Sequence, residues 1–122
     1  MEKYIDVMKQ SVDLSQTILE GLQHIQKLQG EGKFEETMYL FEDVVAGFSS
    51  VEKSMQPLLK ELNNDELEAR MNSVKIALDL VVSSYESNNY GKVQEIMQFT
   101  LVPQFMKLKQ ELERTFETYL LS

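Results

Sequence analysis

The sequence predicts an all-α protein, an antiparallel up-down-up-down four-helix bundle with long helices, and three observations predict it. Apolar residues recur at alternating three- and four-residue steps in four successive segments. Three short breaks rich in Gly, Asn and Ser separate those segments, and none of them sustains the period-two alternation of a half-buried strand. The 122 residues make one domain, taken as 1–122, with helices expected at about 3–28, 33–62, 65–87 and 90–121. At about 1.5 Å per residue these are rods on the order of 30–48 Å long, and rods with short connections pack best as antiparallel neighbours.

In the first segment Ile5, Met8, Val12, Leu19 and Leu22 form the stripe, with a polar gap at Ser15, and Leu14, Ile18, Ile25 and Leu28 widen it. Gln29-Gly30-Glu31-Gly32 reads as a turn. The second segment is the clearest. Phe34, Phe41, Phe48, Met55 and Leu62 recur every seven residues, with Val44, Val51 and Leu58 three after members of that series, which is the a/d seam of a long helix. Pro57 falls inside the seam; it lacks an amide donor and crowds the carbonyl four residues back, so a bend near 53–57 is expected, with the helix continuing because the heptads do.

At the second break Asn63 or Asn64 can cap a helix whose first turn holds Asp65, Glu66 and Glu68, acids that complement the helix dipole. The third helix carries Leu67, Met71, Val74, Leu78, Val81 and Tyr85 in 4-3-4-3-4 steps, and Ser87-Asn88-Asn89-Tyr90-Gly91 ends it. The fourth carries Val93, Met97, Leu101, Phe105, Leu108, Leu112, Phe116 and Tyr119, with Pro103 as a second kink or a restart. A shift of 59 residues pairs Lys33 with Lys92, Glu36 with Glu95 and Met38 with Met97, an echo that either a duplicated hairpin or similar heptads alone would give.

Composition narrows the chemistry. Lys and Arg number 12 against 20 Asp and Glu, a net charge of −8, which argues against nucleic acid and anionic membrane surfaces as partners, since affinity for phosphates comes largely from cationic groups. With no cysteine there is no disulfide, thiolate nucleophile or Cys-ligated metal, and a reducing cytoplasm is the natural setting. The start, Met1-Glu2-Lys3-Tyr4-Ile5-Asp6, has no apolar signal core, and no segment approaches the ~20 apolar residues of a membrane span, so neither export nor insertion is expected.

No catalytic residue, cofactor or metal ligand is expected. Carboxylate-bridged di-iron bundles need two Glu-x-x-His pairs, and the single histidine, His24, lies with Glu20 off the apolar stripe. Glu35-Glu36, Glu42-Asp43 and Asp65-Glu66 with Glu68 read as solvated faces and dipole partners rather than an oxygen-ligand site. Ser49-Ser50 and Ser83-Ser84 lack a strand-to-helix elbow and a base, and Gly30-Glu31-Gly32-Lys33 lacks both the phosphate-loop spacing and its preceding strand. The small-then-aromatic pattern at Asn89-Tyr90-Gly91-Lys92 suggests a tetratricopeptide helix start, but the helices are too long and the recurrence does not fit the ~34-residue period.

What remains is apolar surface the minimal seams do not use: Phe99, Val102 and Met106 on the fourth helix, Ile76 and Leu80 on the third, and Tyr39, with Met38 and Leu40, on the second. Broad core-facing helices absorb part of this. The rest, with seven adaptable methionines, predicts a binding surface of Phe99, Val102, Met106, Ile76, Leu80 and Tyr39, centred near Pro103. Its occupant would be a protein partner, a basic helix favoured by acidic flanks, or a second copy of the chain in a homodimer. The alternatives are a metal- or small-molecule-dependent enzyme with its site in the bundle interior, and a purely structural homodimer.

The stretches from Glu31 to Asp43 (EGKFEETMYLFED) and from Tyr90 to Phe99 (YGKVQEIMQF) resemble those of small helical proteins of Bacillus and related Firmicutes, a family with no assigned activity. That resemblance implies a bacterial, cytoplasmic protein and no catalytic residues to carry over. In size and helical layout the chain also resembles flagellar export chaperones, an analogy of architecture.

Overall fold

Each break in the heptad pattern turns the chain back on itself, and each does so through a residue suited to the task. In the computed structural model, which describes residues 2–121, a short 3-10 turn (Glu2–Tyr4) leads into α1 (Ile5–Gly30), followed by α2 (Phe34–Leu62) and α3 (Asp65–Glu86). The fourth rod is composite: α4 (Tyr90–Ile96), one π turn (Met97–Leu101) and α5 (Val102–Leu120). Gly32 adopts a left-handed φ of +79° between α1 and α2, and Asn63 (φ 48°) closes α2. Asn64 is the cap of α3, its side chain accepting the Leu67 amide at 3.0 Å, and Asn89 does the same for Lys92 at 3.1 Å at the start of α4.

The described residues are helices and turns, with no strand, and they form the all-α four-helix bundle that the periodicity predicts. α1 packs along α2 and along the fourth rod, while α3 packs along the fourth rod and more lightly against α2. Thus α1 and α3 occupy one diagonal, and α2 and the fourth rod the other. The interior is a single apolar cluster to which every rod contributes, from Met8 and Leu22 through Phe41, Met55 and Val74 to Phe105 and Phe116. Burial of such side chains is worth roughly 1.5–3 kcal/mol each and is the main force holding the rods together.

The seam of α2 lies where the heptads place it, with Phe41, Val44, Phe48, Val51, Met55 and Leu58 buried, and the helix runs unbroken through Pro57. The stripe of α1 needs correction. Its buried residues are Met8, Ser11, Ser15, Ile18, Leu22, Ile25 and Gln29, while Ile5, Val12 and Leu19 are half-buried at the edge and Leu14 is exposed. Ser15 enters the interior because its hydroxyl donates to the Val12 carbonyl of its own helix at 2.7 Å, so no bare polar group is buried. Gln29 likewise belongs to the last turn of α1 and to the core, not to a loop.

The fourth rod also departs from a plain helix. Val93, Met97, Leu101 and Phe105 are all buried although they follow one another at three consecutive four-residue steps. In an α-helix such steps drift by about 40° each, which would carry the stripe off the core. The π turn absorbs the surplus residue: the Val102 amide reaches back five residues to the Met97 carbonyl, and the stripe returns to phase. Pro103 follows in the first turn of α5, where its missing N–H costs least, so the rod restarts at this point.

Candidate partner surface

The same π turn that keeps Met97 and Leu101 inside sets the side chain between them outward. Phe99 is 70% exposed, and the neighbouring α3 shows Ile76 at 53% and Leu80 at 48%. An antiparallel hairpin turning at Ser87–Asn89 brings Phe99 level along the rods with Ile76 and Leu80 on the adjacent α3. Met106 is 44% exposed two turns further along α5, and Val102 is half-buried, its side chain packed against the core edge. Five of the six predicted contact residues therefore lie on two adjacent rods. Tyr39, although highly exposed, stands on α2, across the diagonal from the fourth rod, and does not join them.

A second constellation sits at the end of the bundle where α1 meets α2 and α3 meets α4. The Gln29 side-chain amide donates to the Tyr85 hydroxyl at 3.0 Å, and the Tyr85 and Thr37 hydroxyls are 2.8 Å apart, all buried. Thr37 spends its one proton on the Phe34 carbonyl at 2.7 Å, which leaves Tyr85 as the donor to Thr37. The result is a one-way chain from Gln29 through Tyr85 and Thr37 to backbone. Burial pushes the Tyr85 phenol above its ordinary pKa, against the hydrogen bond it accepts from Gln29, so at neutral pH it stays protonated and able to donate.

Aromatic rings seal this end. Phe41 tilts against Tyr85 with centroids 5.6 Å apart, Tyr90 meets Tyr85 edge-on at 6.5 Å, and Phe34 stacks on Tyr90 at 4.8 Å. Outside that stack, Gly32, Lys33, Phe34, Glu35, Glu36 and Tyr90 line an open hollow of about 460 Å³. The apolar stripe predicts Tyr85 as a core residue but not its hydrogen bonds, the turn pattern places Gln29 in a loop, and composition alone gives Thr37 no role. The signal was present: Thr37 extends the Val44–Val51–Leu58 heptad series back by seven residues, and Gln29 extends Met8–Ser15–Leu22 forward by seven.

The residues weighed for chemistry are dispersed. His24 is exposed on α1, and Glu20 accepts from Gln16 at 2.9 Å. Ser84 returns its hydroxyl to the Leu80 carbonyl at 2.9 Å. Glu111 is the one acid buried among the described residues; it pairs with Arg114 at 2.6 Å, and that bond is the main cause of the raised Arg114 pKa. No group of three or more His, Cys, Asp or Glu among the described residues is placed to hold a metal ion. None of the described helices is long and apolar enough to cross a membrane.

No curated protein and no solved structure matches the chain. A family model does: DUF8042, a domain of unknown function, matches residues 6–111, which runs from the first turn of α1 through the π turn into the middle of α5 and so takes in all four rods. With the match extending over most of its length, this chain belongs to the DUF8042 family.

Proposed function

We propose that the chain is a non-enzymatic interaction protein of the bacterial cytoplasm, which holds another protein surface against the apolar side chains between α3 and the fourth rod. The observation that carries this reading is Phe99, 70% exposed in the π turn of the rod that packs along α3, the helix on which Ile76 and Leu80 are also exposed. Large apolar residues gathered on one face mark association surfaces more often than chance exposure does. The mechanism is burial of Phe99, Ile76 and Leu80 with Met106 at the margin, an adaptable thioether suited to fitting a partner. The polar interior supports the same reading, because its buried hydroxyls and amide are consumed in holding helices to one another.

The test replaces Phe99 and Met106 together with Ser. Association, followed by light scattering and by co-purification from the native host, is expected to weaken while the far-ultraviolet circular dichroism stays unchanged. A collapse in helicity would assign these side chains to the core and end the proposal. Stoichiometric metal in the purified protein would instead favour an enzyme built in the bundle interior.

A further inference from the structure

We propose that the seam between α2 and α3 is a separate docking groove, and that its occupant is a basic amphipathic helix of another protein. It runs along the edge of α3 that faces α2, away from the fourth rod, and the inference does not rest on the Phe99 surface. Of the seams between neighbouring rods this one is packed most lightly, and it is hollow at two places. Toward one end Met38, Phe41 and Glu42 of α2 and Val82, Tyr85 and Glu86 of α3 line a cavity of about 80 Å³. Further along, Glu52 and Gln56 of α2 and Glu68 and Lys75 of α3 are among the residues around an open hollow of about 260 Å³.

Size and spacing select a helix over a free metabolite. Pockets that bury a small molecule usually enclose about 300–1,000 Å³, and the cavity at Phe41 has room only for the end of one side chain. Its floor is apolar: Phe41 and Tyr85 are buried, and Val82 and the adaptable thioether of Met38 are half-buried. The two hollows lie about 22 Å apart along α2, from Phe41 to Gln56, which is four turns of a helix. A partner helix laid along the seam therefore brings side chains of one face to both.

Charge selects a basic partner. Glu42 and Glu86 stand exposed at the rim of the cavity, and neither has an ion-pair partner among the described residues. Asp79, three residues before Val82 and four after Lys75, carries the same edge of α3 between the hollows and is also exposed and unpaired. In the second hollow Glu68 is unpaired, and the one base, Lys75, lies 3.9 Å from Glu52. Five acids thus flank the groove against a single lysine. An apolar anchor seated on Phe41 and Val82 with Lys or Arg on either side meets carboxylates that have no other partner, whereas an acidic helix is repelled, and the net charge of −8 steers the same choice from a distance.

The probe is a synthetic peptide of about 18 residues, ~27 Å long as a helix, with Leu along one face and Lys beside it, and a counterpart with Glu in place of Lys. Calorimetric titration of the full chain is expected to show saturable binding of the Lys peptide and none of the Glu peptide, with the Met38 methyl resonance shifting as the Lys peptide is added. Glu42→Gln with Glu86→Gln is expected to weaken binding about tenfold. Asp13→Asn with Glu20→Gln removes the same charge from exposed positions of α1 and is expected to leave it unchanged. So is Phe99→Ser with Met106→Ser, which keeps the fate of this groove distinct from that of the Phe99 surface. No binding of the Lys peptide, equal weakening by the two charge-removing pairs, loss with Phe99→Ser and Met106→Ser, or a Met38 resonance that stays in place would each overturn the groove. Displacement of the peptide by an equal concentration of butylamine would overturn the protein partner in favour of a free amine.

Discussion

The hydroxyls of Tyr85 and Thr37 stand 2.8 Å apart between α3 and α2, and the proton between them belongs to Tyr85, because Thr37 gives its own to the Phe34 carbonyl. Gln29 of α1 completes the chain by donating to Tyr85. Three rods are thus joined through one buried phenolic oxygen.

Removing that oxygen strands two buried partners. Tyr85→Phe is expected to cost about 1–3 kcal/mol, the penalty for buried groups left unsatisfied, with helicity retained. Urea unfolding measures it as a lower midpoint at unchanged slope; no shift in midpoint would show that water reaches Gln29 and Thr37.

The same residue gives stability an alkaline edge. Its folded pKa lies above the unfolded value of about 10 because burial disfavours the phenolate. Between the two values the native state binds more protons than the unfolded one, so stability falls as pH rises through that window. Below it the contribution is fully present. The difference in stability between wild type and Tyr85→Phe should therefore change above about pH 10 and stay flat below it. A flat difference throughout would refute the burial argument.

Two glycines predict opposite outcomes from one substitution. Gly47 lies inside α2, and an added Cβ would meet nothing nearer than Ile18 at 3.7 Å, so Gly47→Ala should stabilise by about 0.5–1 kcal/mol through lost unfolded-state freedom. Gly32, at φ +79°, has open space around it but a backbone that L side chains avoid, and Gly32→Ala should destabilise by about 1 kcal/mol. Thermal melts of the two variants should move in opposite directions.

The π turn predicts that its extra residue is dispensable. Deleting Thr100 converts the Val93–Met97–Leu101–Phe105 spacing into ordinary 4-3-4 steps, and Pro103→Ala removes the ring that would then clash inside a regular helix. The combined variant is expected to keep its helicity and to lie within about 1 kcal/mol of wild type, since it breaks no core contact by register. Loss of cooperative unfolding would mean that the π turn itself supports the core.

The sequence carried more of this structure than a first reading extracts, and the residues show why. Phe41, Phe48 and Met55 announced the seam of α2 because every seventh residue is large and apolar. Ser11 and Ser15 concealed the seam of α1, since a serine that bonds its own helix is buried yet looks like a surface residue. The three four-residue steps from Val93 to Phe105 already required a π turn, but the signal is a phase drift and not a residue type. Which exposed apolar residues share a face could not be read at all without the packing order: it separates Tyr39 from Phe99 by placing their rods on a diagonal.

Heptad seams have a weakness that the Gln29–Tyr85–Thr37 chain remedies. An apolar stripe repeating every seven residues matches itself again after a slide of about 10 Å, so hydrophobic burial alone leaves the axial alignment of the rods nearly degenerate. A directional proton chain closes at only one offset. Slip by a single repeat would leave the Tyr85 phenol and the Gln29 amide dry and unmatched, and the bundle is thereby indexed from one end, like a ruler with a single fixed zero.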